Sequence, residues 1–218
     1  MFDKFKCIYD ISLPLTEHLP VWPASEKINI TWVKNIDEDG VNESHLSFNT
    51  HSGTHIDAPY HFLKTGKRIG DIPFERLIGG AMVVEFRGNG NINPEFLSKI
   101  SIPSGCNKLL FKTKNSLDRI IKQSKFCEDY VALSLEGAEW VVKNGIDLVG
   151  IDYLSIQSFD DKDNRIHQTL LENNIVILEG LNLRDVGEGV YELFVLPLNI
   201  PEAEGAPVRA ILIKGDAR

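Results

Sequence analysis

Two places in the second half of the chain constrain its fold more than any other feature. At each, a helical stretch runs directly into an apolar strand. Glu136 to Asn144 carries apolar residues at helical spacing, stops at Asn144-Gly145, and leads into DLVGID. Asn164 to Asn173 puts Ile166, Leu170 and Leu171 on one stripe and leads into NIVILEG. Helix feeding strand, twice over, makes this half α/β. The first half is richer in strands. KCIYDIS, KINITWVK, HLSFNT, AMVVEF and KLLFKT read as strands, as do YELFVLPL and VRAILI near the end. A short helix is expected from Pro94 to Ile100, with Asn93 as its cap and Pro94 at its first position. No repeat, low-complexity tract or linker interrupts the pattern. The expectation is a β-rich α/β fold in a single domain over residues 1–218.

The formal net charge of −8 argues against a nucleic-acid or anionic-membrane partner, since either would want a basic face. Cys7, Cys106 and Cys127 are odd in number and form no CxxC pair, so a disulfide framework is not expected and a reducing cytosol is. The start, MFDKFKCIYDISL, has no apolar signal-peptide core, and no apolar run approaches the roughly 20 residues of a membrane helix. A soluble, cytoplasmic protein without a membrane partner is the expectation. RGNGNINP lacks the spacing and lysine of a phosphate loop. FDDKDNR lacks the glycine and distal glutamate of a calcium loop, so both read as plain loops.

The chemistry concentrates in HSGTHIDAPYH, His51 to His61, which holds three of the chain's six histidines. His51, His55, Asp57 and His61 would share one face of an extended segment. A straight strand would still space His51 and His55 about 13 Å apart, at roughly 3.3 Å per residue. Two ligands of one ion must lie within about 4 Å, since each bond is near 2.1 Å. A continuous helix is disfavoured by Gly53 and Pro59. A bent segment remains, with Gly53 permitting a sharp turn, Thr54 hydrogen-bonding that turn, and Pro59 stiffening the exit. Imidazole and carboxylate donors without thiolate favour Zn²⁺, Mn²⁺ or Fe²⁺. Three protein ligands and an open position suit catalysis better than a structural site. The alternative is a polar surface loop.

Two more candidates lie far along the chain. His167 sits in NRIHQTLLEN, where a lone helical histidine is often structural. Glu179 ends NIVILEG, and a carboxylate at the end of a buried strand is costly unless paired or metal-bound. A helix–turn–strand unit could bring the two side by side. Asp152 ends DLVGID and raises the same question, with a helix-capping or loop-bonding aspartate as the other answer.

The run H-x-G-T-H-x-D-x-P-x-H, followed by Phe62, resembles the signature of the cyclase-like metal-hydrolase family. That family includes kynurenine formamidases (arylformamidases), isatin hydrolases and proteins called putative cyclases. DISLPLTEHLPVWP resembles its N-terminal strand and Trp-Pro element. GIDYLSI, IHQTLLENNIVILEGLNL and ELFVLPLNIPEAEGAPVRAIL resemble its C-terminal half in order. The resemblance is weakest from Lys114 to Tyr130. It implies that His51, His55 and Asp57 bind a divalent metal, Zn²⁺ first and Mn²⁺ next. It implies that Asp57 can bridge to a second ion held by His167 and Glu179, so one or two ions per chain. It implies that His61 transfers protons and that Trp22 lines the substrate pocket. A swivelling β/β/α-like fold and a homodimer or homotetramer follow from it too. Two departures stand out. The Trp-Pro element commonly continues with Gly-Asp, but here reads Trp22-Pro23-Ala24-Ser25, and an acidic residue is often found near Gln157. Both lie where substrate contacts are expected.

The implied activity is amide hydrolysis of a small, planar, aromatic substrate, with N-formylkynurenine going to kynurenine and formate as the leading candidate. A divalent metal lowers the pKa of bound water to about 7. His61 would take a proton from water or give one to the leaving amine, and Trp22 would stack on the ring. Hydrolysis of a cyclic amide or lactone, as in the isatin branch, is the runner-up. A non-catalytic metal- or small-molecule-binding module would instead need His61 as a further ligand that closes the coordination shell.

Overall fold

The computed structural model describes residues 7–118, 120, 123 and 125–214. Eight strands form one sheet: β1 Cys7–Asp10, β4 His55–Asp57, β5 Ile78–Glu85, β6 Cys106–Lys112, β7 Leu148–Ile151, β8 Val176–Glu179, β9 Gly189–Pro197 and β10 Gly205–Lys214. Their order is β1-β10-β4-β8-β7-β6-β5-β9, and β9 also pairs with β10, so seven of them close into a barrel with β1 added alongside. β5, β6, β7 and β8 are parallel neighbours, and the remaining pairings are antiparallel. Parallel neighbours need crossover connections. The crossovers carry α3 Pro94–Leu97, α5 Leu135–Lys143 and α6 Arg165–Glu172.

The sheet separates two cores by the period-2 alternation of strands. On β6, Leu110 joins Ile56, Leu178, Leu193 and Leu212 in the core on the barrel's inner side. Leu109 and Phe111 face the other way, against Val141 of α5 and Ile166 and Leu170 of α6. The apolar stripe read from the sequence of α6 is thus the face that covers the sheet.

The expected strands are all present, although Lys6, the first residue of KCIYDIS, lies outside the described residues. α5 and α6 fall where helical spacing puts them; the Ser134 side chain caps the start of α5, and Asn164 and Asn173 occupy the two end positions of α6. The helix expected to reach Ile100 ends its regular turn at Leu97. Beyond it, Lys99 N–H bonds Phe96 O and Ile100 N–H bonds Leu97 O, a tightened terminal turn. β4 is three residues long, between a glycine turn and a proline, and carries no strand pattern in the sequence.

Asp152 turns out to bind a loop. It accepts from Thr113 N and Oγ1, both at 2.8 Å, and from Ser116 N at 3.0 Å, around the short helix α4 Lys114–Leu117. Burial raises its pKa, and these donors offset that only in part.

A second, two-stranded sheet stands apart. β2 Asn29–Lys34 pairs antiparallel with β3 Glu43–Ser47, with α1 Ile36–Asp39 between them. Among the described residues, no helix is long and apolar enough to cross a membrane.

Candidate active site

The motif folds around two glycines. Gly53 has φ 67° and Gly180 has φ 69°, and a Cβ on Gly180 would sit 2.2 Å from Gly53 O. Two backbones touch here, and only glycine allows both the contact and the left-handed turn. Thr54 was expected to bond its own turn. Instead its Oγ1 donates to Gly180 O at 2.6 Å and accepts from Leu13 N at 2.8 Å. It pins the motif to the end of β8 and to the N-terminal segment.

Past that turn, β4 carries His55 and Asp57, two residues apart and so on one face. β4 pairs antiparallel with β8, and the register sets His55 opposite Glu179. Pro59 then starts a 3-10 turn, Pro59–His61, that swings His61 back. The rings of His51 and His61 stack with centroids 4.0 Å apart.

Sequence pointed to His51, His55, Asp57, His167 and Glu179, and the fold brings all five together. His51 Nδ1 is 2.9 Å from Asp57 Oδ1. His55 Nε2 is 3.6 Å from that oxygen and 3.3 Å from Glu179 Oε2. His167, in the first turn of α6, puts Nε2 3.3 Å from Glu179 Oε1 and 3.9 Å from Asp57 Oδ2. Among the described residues, two groups have donor atoms all within 4.8 Å of one another: His51, Asp57 and His61, and His55, Asp57 and Glu179. Asp57 belongs to both. It is 1% exposed, and neither carboxyl oxygen accepts a well-aligned hydrogen bond, despite the short approach of His51. A buried carboxylate left so is costly unless a cation meets it. Nitrogen and oxygen donors fit a divalent ion.

A family model described as putative cyclase matches residues 9–158. The chain belongs to the putative cyclase family. Cyclase-like protein 3 of Arabidopsis thaliana is 38% identical to it, over 98% of this chain and 82% of its own length. The kynurenine formamidase of Salinibacter ruber is 35% identical, over 94% of this chain and 96% of its own. A solved structure described as a potential metal-dependent hydrolase with cyclase activity superposes with TM-score 0.83 at 29% identity, covering 97% of this chain and 99% of that one. These likenesses place the chain among the hydrolases of the cyclase family.

In this member of the putative cyclase family a cavity of about 470 Å³ opens on the cluster. His51, His55, His61, His167 and Glu179 form its floor, and Trp22 and Phe159 stand on its wall. Trp22 is 39% exposed, with its ring centroid 5.5 Å from Phe159 and 5.1 Å from Phe126. It is a pocket-wall residue, not a core anchor.

Burial pushes the Asp57 carboxyl up, but the nearby charges of His61, His51 and His55 outweigh it and hold the group well below the usual carboxylate range. Burial pulls His61 down; Asp57 opposes this, and the neighbouring His51 and His167 add to it, leaving His61 below an ordinary histidine. Burial also pulls on His51, but Asp57, Glu179 and Glu204 raise it.

Sequence reading missed Glu204, whose Oε1 lies 3.4 Å from His51 Nε2 and accepts from Thr50 Oγ1 at 2.7 Å. It reaches the site because the next residue, Gly205, pairs with Asp57 across β10 and β4. No local signal in IPEAEGAP marks it. Phe126 also escaped notice, as an isolated aromatic in a loop.

Proposed function

We propose that the protein is a metal-dependent amide hydrolase of formamidase type, cleaving an N-formyl aryl amine with water to the free amine and formate. N-formylkynurenine is the leading substrate. One observation carries the reading: Trp22 and Phe159 line the same cavity, sized for a small molecule, as His51, His55, His61, His167 and Glu179. His51, His55, Asp57, His167 and Glu179 would hold one or two divalent ions, zinc first and manganese next. When bound, such an ion supplies water activation near neutral pH and polarises the carbonyl. Trp22 orients the aromatic ring by stacking. His61, which burial holds below the ordinary histidine value, accepts a proton from water and returns it to the leaving nitrogen. Formyl-anilide, isatin and lactone panels on protein of known metal content test this. Turnover of formyl-anilides above the other two is expected. Preference for isatin would move the assignment to cyclic amides, and metal binding with no turnover would make the protein a binding module.

We further propose that the protein works as a homo-oligomer in the cytoplasm. Trp32, Val33 and Leu46 on the β2–β3 hairpin are exposed, and so are Leu196 of β9 and Leu198 and Ile200 in the segment that follows it. An isolated two-stranded hairpin is marginal in water. A second copy offers both surfaces, so one pairing covers each arm with the other barrel. Light scattering on the wild type and Trp32→Glu is the test: a dimer or tetramer that dissociates in the variant is expected, and a wild-type monomer would end the reading.

A further inference from the structure

Gln157 is buried beside the cluster, and the roles above do not use it. Its Oε1 accepts from Ile166 N at 3.1 Å and His167 N at 3.4 Å, and its Nε2 donates to Asp161 O at 2.9 Å. These partners fix the amide's orientation. Turned over, it would point NH₂ at two N–H donors and a carbonyl at a carbonyl. α6 needs the acceptor. Asn164, at its N-cap, has φ 56° and makes no side-chain cap bond. Gln157 supplies that bond from the preceding loop.

The same Oε1 lies 3.3 Å from His167 Nδ1. An amide oxygen only accepts, so Nδ1 is the donor and carries the hydrogen. Phe62 packs against the ring, centroids 4.5 Å apart and planes 31° apart, and limits its rotation. Nε2 then carries the lone pair and lies 3.3 Å from Glu179 Oε1 and 3.9 Å from Asp57 Oδ2, facing acceptors it cannot bond without a cation between them.

We propose that Gln157 is a positioning residue: its amide oxygen holds His167 with Nδ1 protonated, so that Nε2 is the nitrogen offered to the metal. The proposal rests on reading His167 as a ligand. A partner of this kind orients the ring and raises its basicity, and losing one typically lowers metal affinity about 10–100-fold. The residue here is an amide, not a carboxylate. It accepts as a carboxylate does, adds no third negative charge beside Asp57 and Glu179, and keeps the bond to Asp161.

The test uses zinc alone, by calorimetric titration and by nitrogen-15 NMR of the histidine rings. In the zinc-loaded wild type, His167 should show zinc on Nε2 and a slowly exchanging Nδ1–H. Gln157→Leu should bind zinc about 10–100-fold more weakly and lose that slow exchange. Gln157→Glu, which keeps the acceptor, should restore both. Zinc on Nδ1 in the wild type overturns the proposal. So does wild-type zinc affinity in Gln157→Leu, or a Gln157→Glu as weak as Gln157→Leu. Should Gln157→Leu fail to fold, the wild-type spectrum and the glutamate variant decide alone. Failure of the hydrolase reading looks different: turnover is absent while these zinc signals stand.

Discussion

The two donor groups that share Asp57 are built from the same chemistry in different mechanical settings. His55, Asp57 and Glu179 sit on adjacent strands of a closed barrel, in register, and all are buried. Their positions are set by ladder hydrogen bonds and by the glycine contact beneath them. His51 and His61 stand on a turn and a 3-10 segment, are half-buried, and face the cavity. A rung of a sheet holds its side chains to a narrow geometry, whereas turns yield more readily. The difference suggests a division of labour, with the strand-held group retaining an ion and the turn-held group working where substrate arrives.

The largest expected effect falls on the residue that belongs to both. Asp57→Asn keeps the shape and removes the charge. It should abolish turnover and also the metal-induced rise in melting temperature. That rise is worth about 2.7 kcal/mol when free metal is about 100 times Kd. If Asp57→Asn retained either one, the two groups would not depend on a common carboxylate.

The next effect separates the groups. In metal titrations, His55→Ala should weaken binding more than His51→Ala. A wild type with one class of site, lost equally in both variants, would erase the distinction and leave a single ion. His61→Ala comes third: it should keep metal and fold but lose about 10²-fold in turnover. Loss of metal in that variant would make His61 a ligand, as its place within 4.8 Å of His51 and Asp57 allows.

How far the sequence revealed these groups follows the same divide. The donors in HSGTHIDAPYH were legible because so dense a set of imidazole and carboxylate suits a bent, ligand-rich ribbon and because the run resembles the cyclase-like signature. Glu179 was legible because a carboxylate closing an apolar run needs a reason, and α6 because its stripe is periodic. β4 was not, since three residues between a turn and a proline carry no strand pattern. Nor was Thr54's real partner, Gly180 O, which is 126 residues away and becomes a neighbour only when β4 meets β8. Glu204 was hidden for the same reason, because cross-strand register places it and register is not local information. Gln157 stood out only as a departure from the related pattern. Its contact with α6 depends on a loop conformation that no periodicity encodes.

The smallest effect lies on the cavity wall, in the turn that carries Trp22. Ser25 N–H bonds Trp22 O at 2.9 Å, Pro23 occupies the second position, and Ala24 occupies the third with φ 70°. That is the pattern of a type II turn, whose third residue is normally glycine because a Cβ is strained there. Alanine at such a position costs on the order of 1 kcal/mol, partly offset by the lower entropy of its unfolded chain. Ala24→Gly should therefore stabilise the protein by up to about 0.5 kcal/mol, read as a small rise in melting temperature. It should leave metal affinity alone, because the strand-held group is fixed by the barrel. Kinetics then ask whether the alanine stiffens the indole for stacking. Trp22→Ala gives the scale, a loss of about 1 kcal/mol in kcat/KM for an aromatic amide with stability nearly unchanged. If Ala24→Gly gains stability and also raises KM, the strained alanine holds Trp22 in place and the wall is as preorganised as the floor. If KM is unchanged, the proline alone fixes the turn. A fall in stability would mean that Ala24 is not strained and that the turn has been misread.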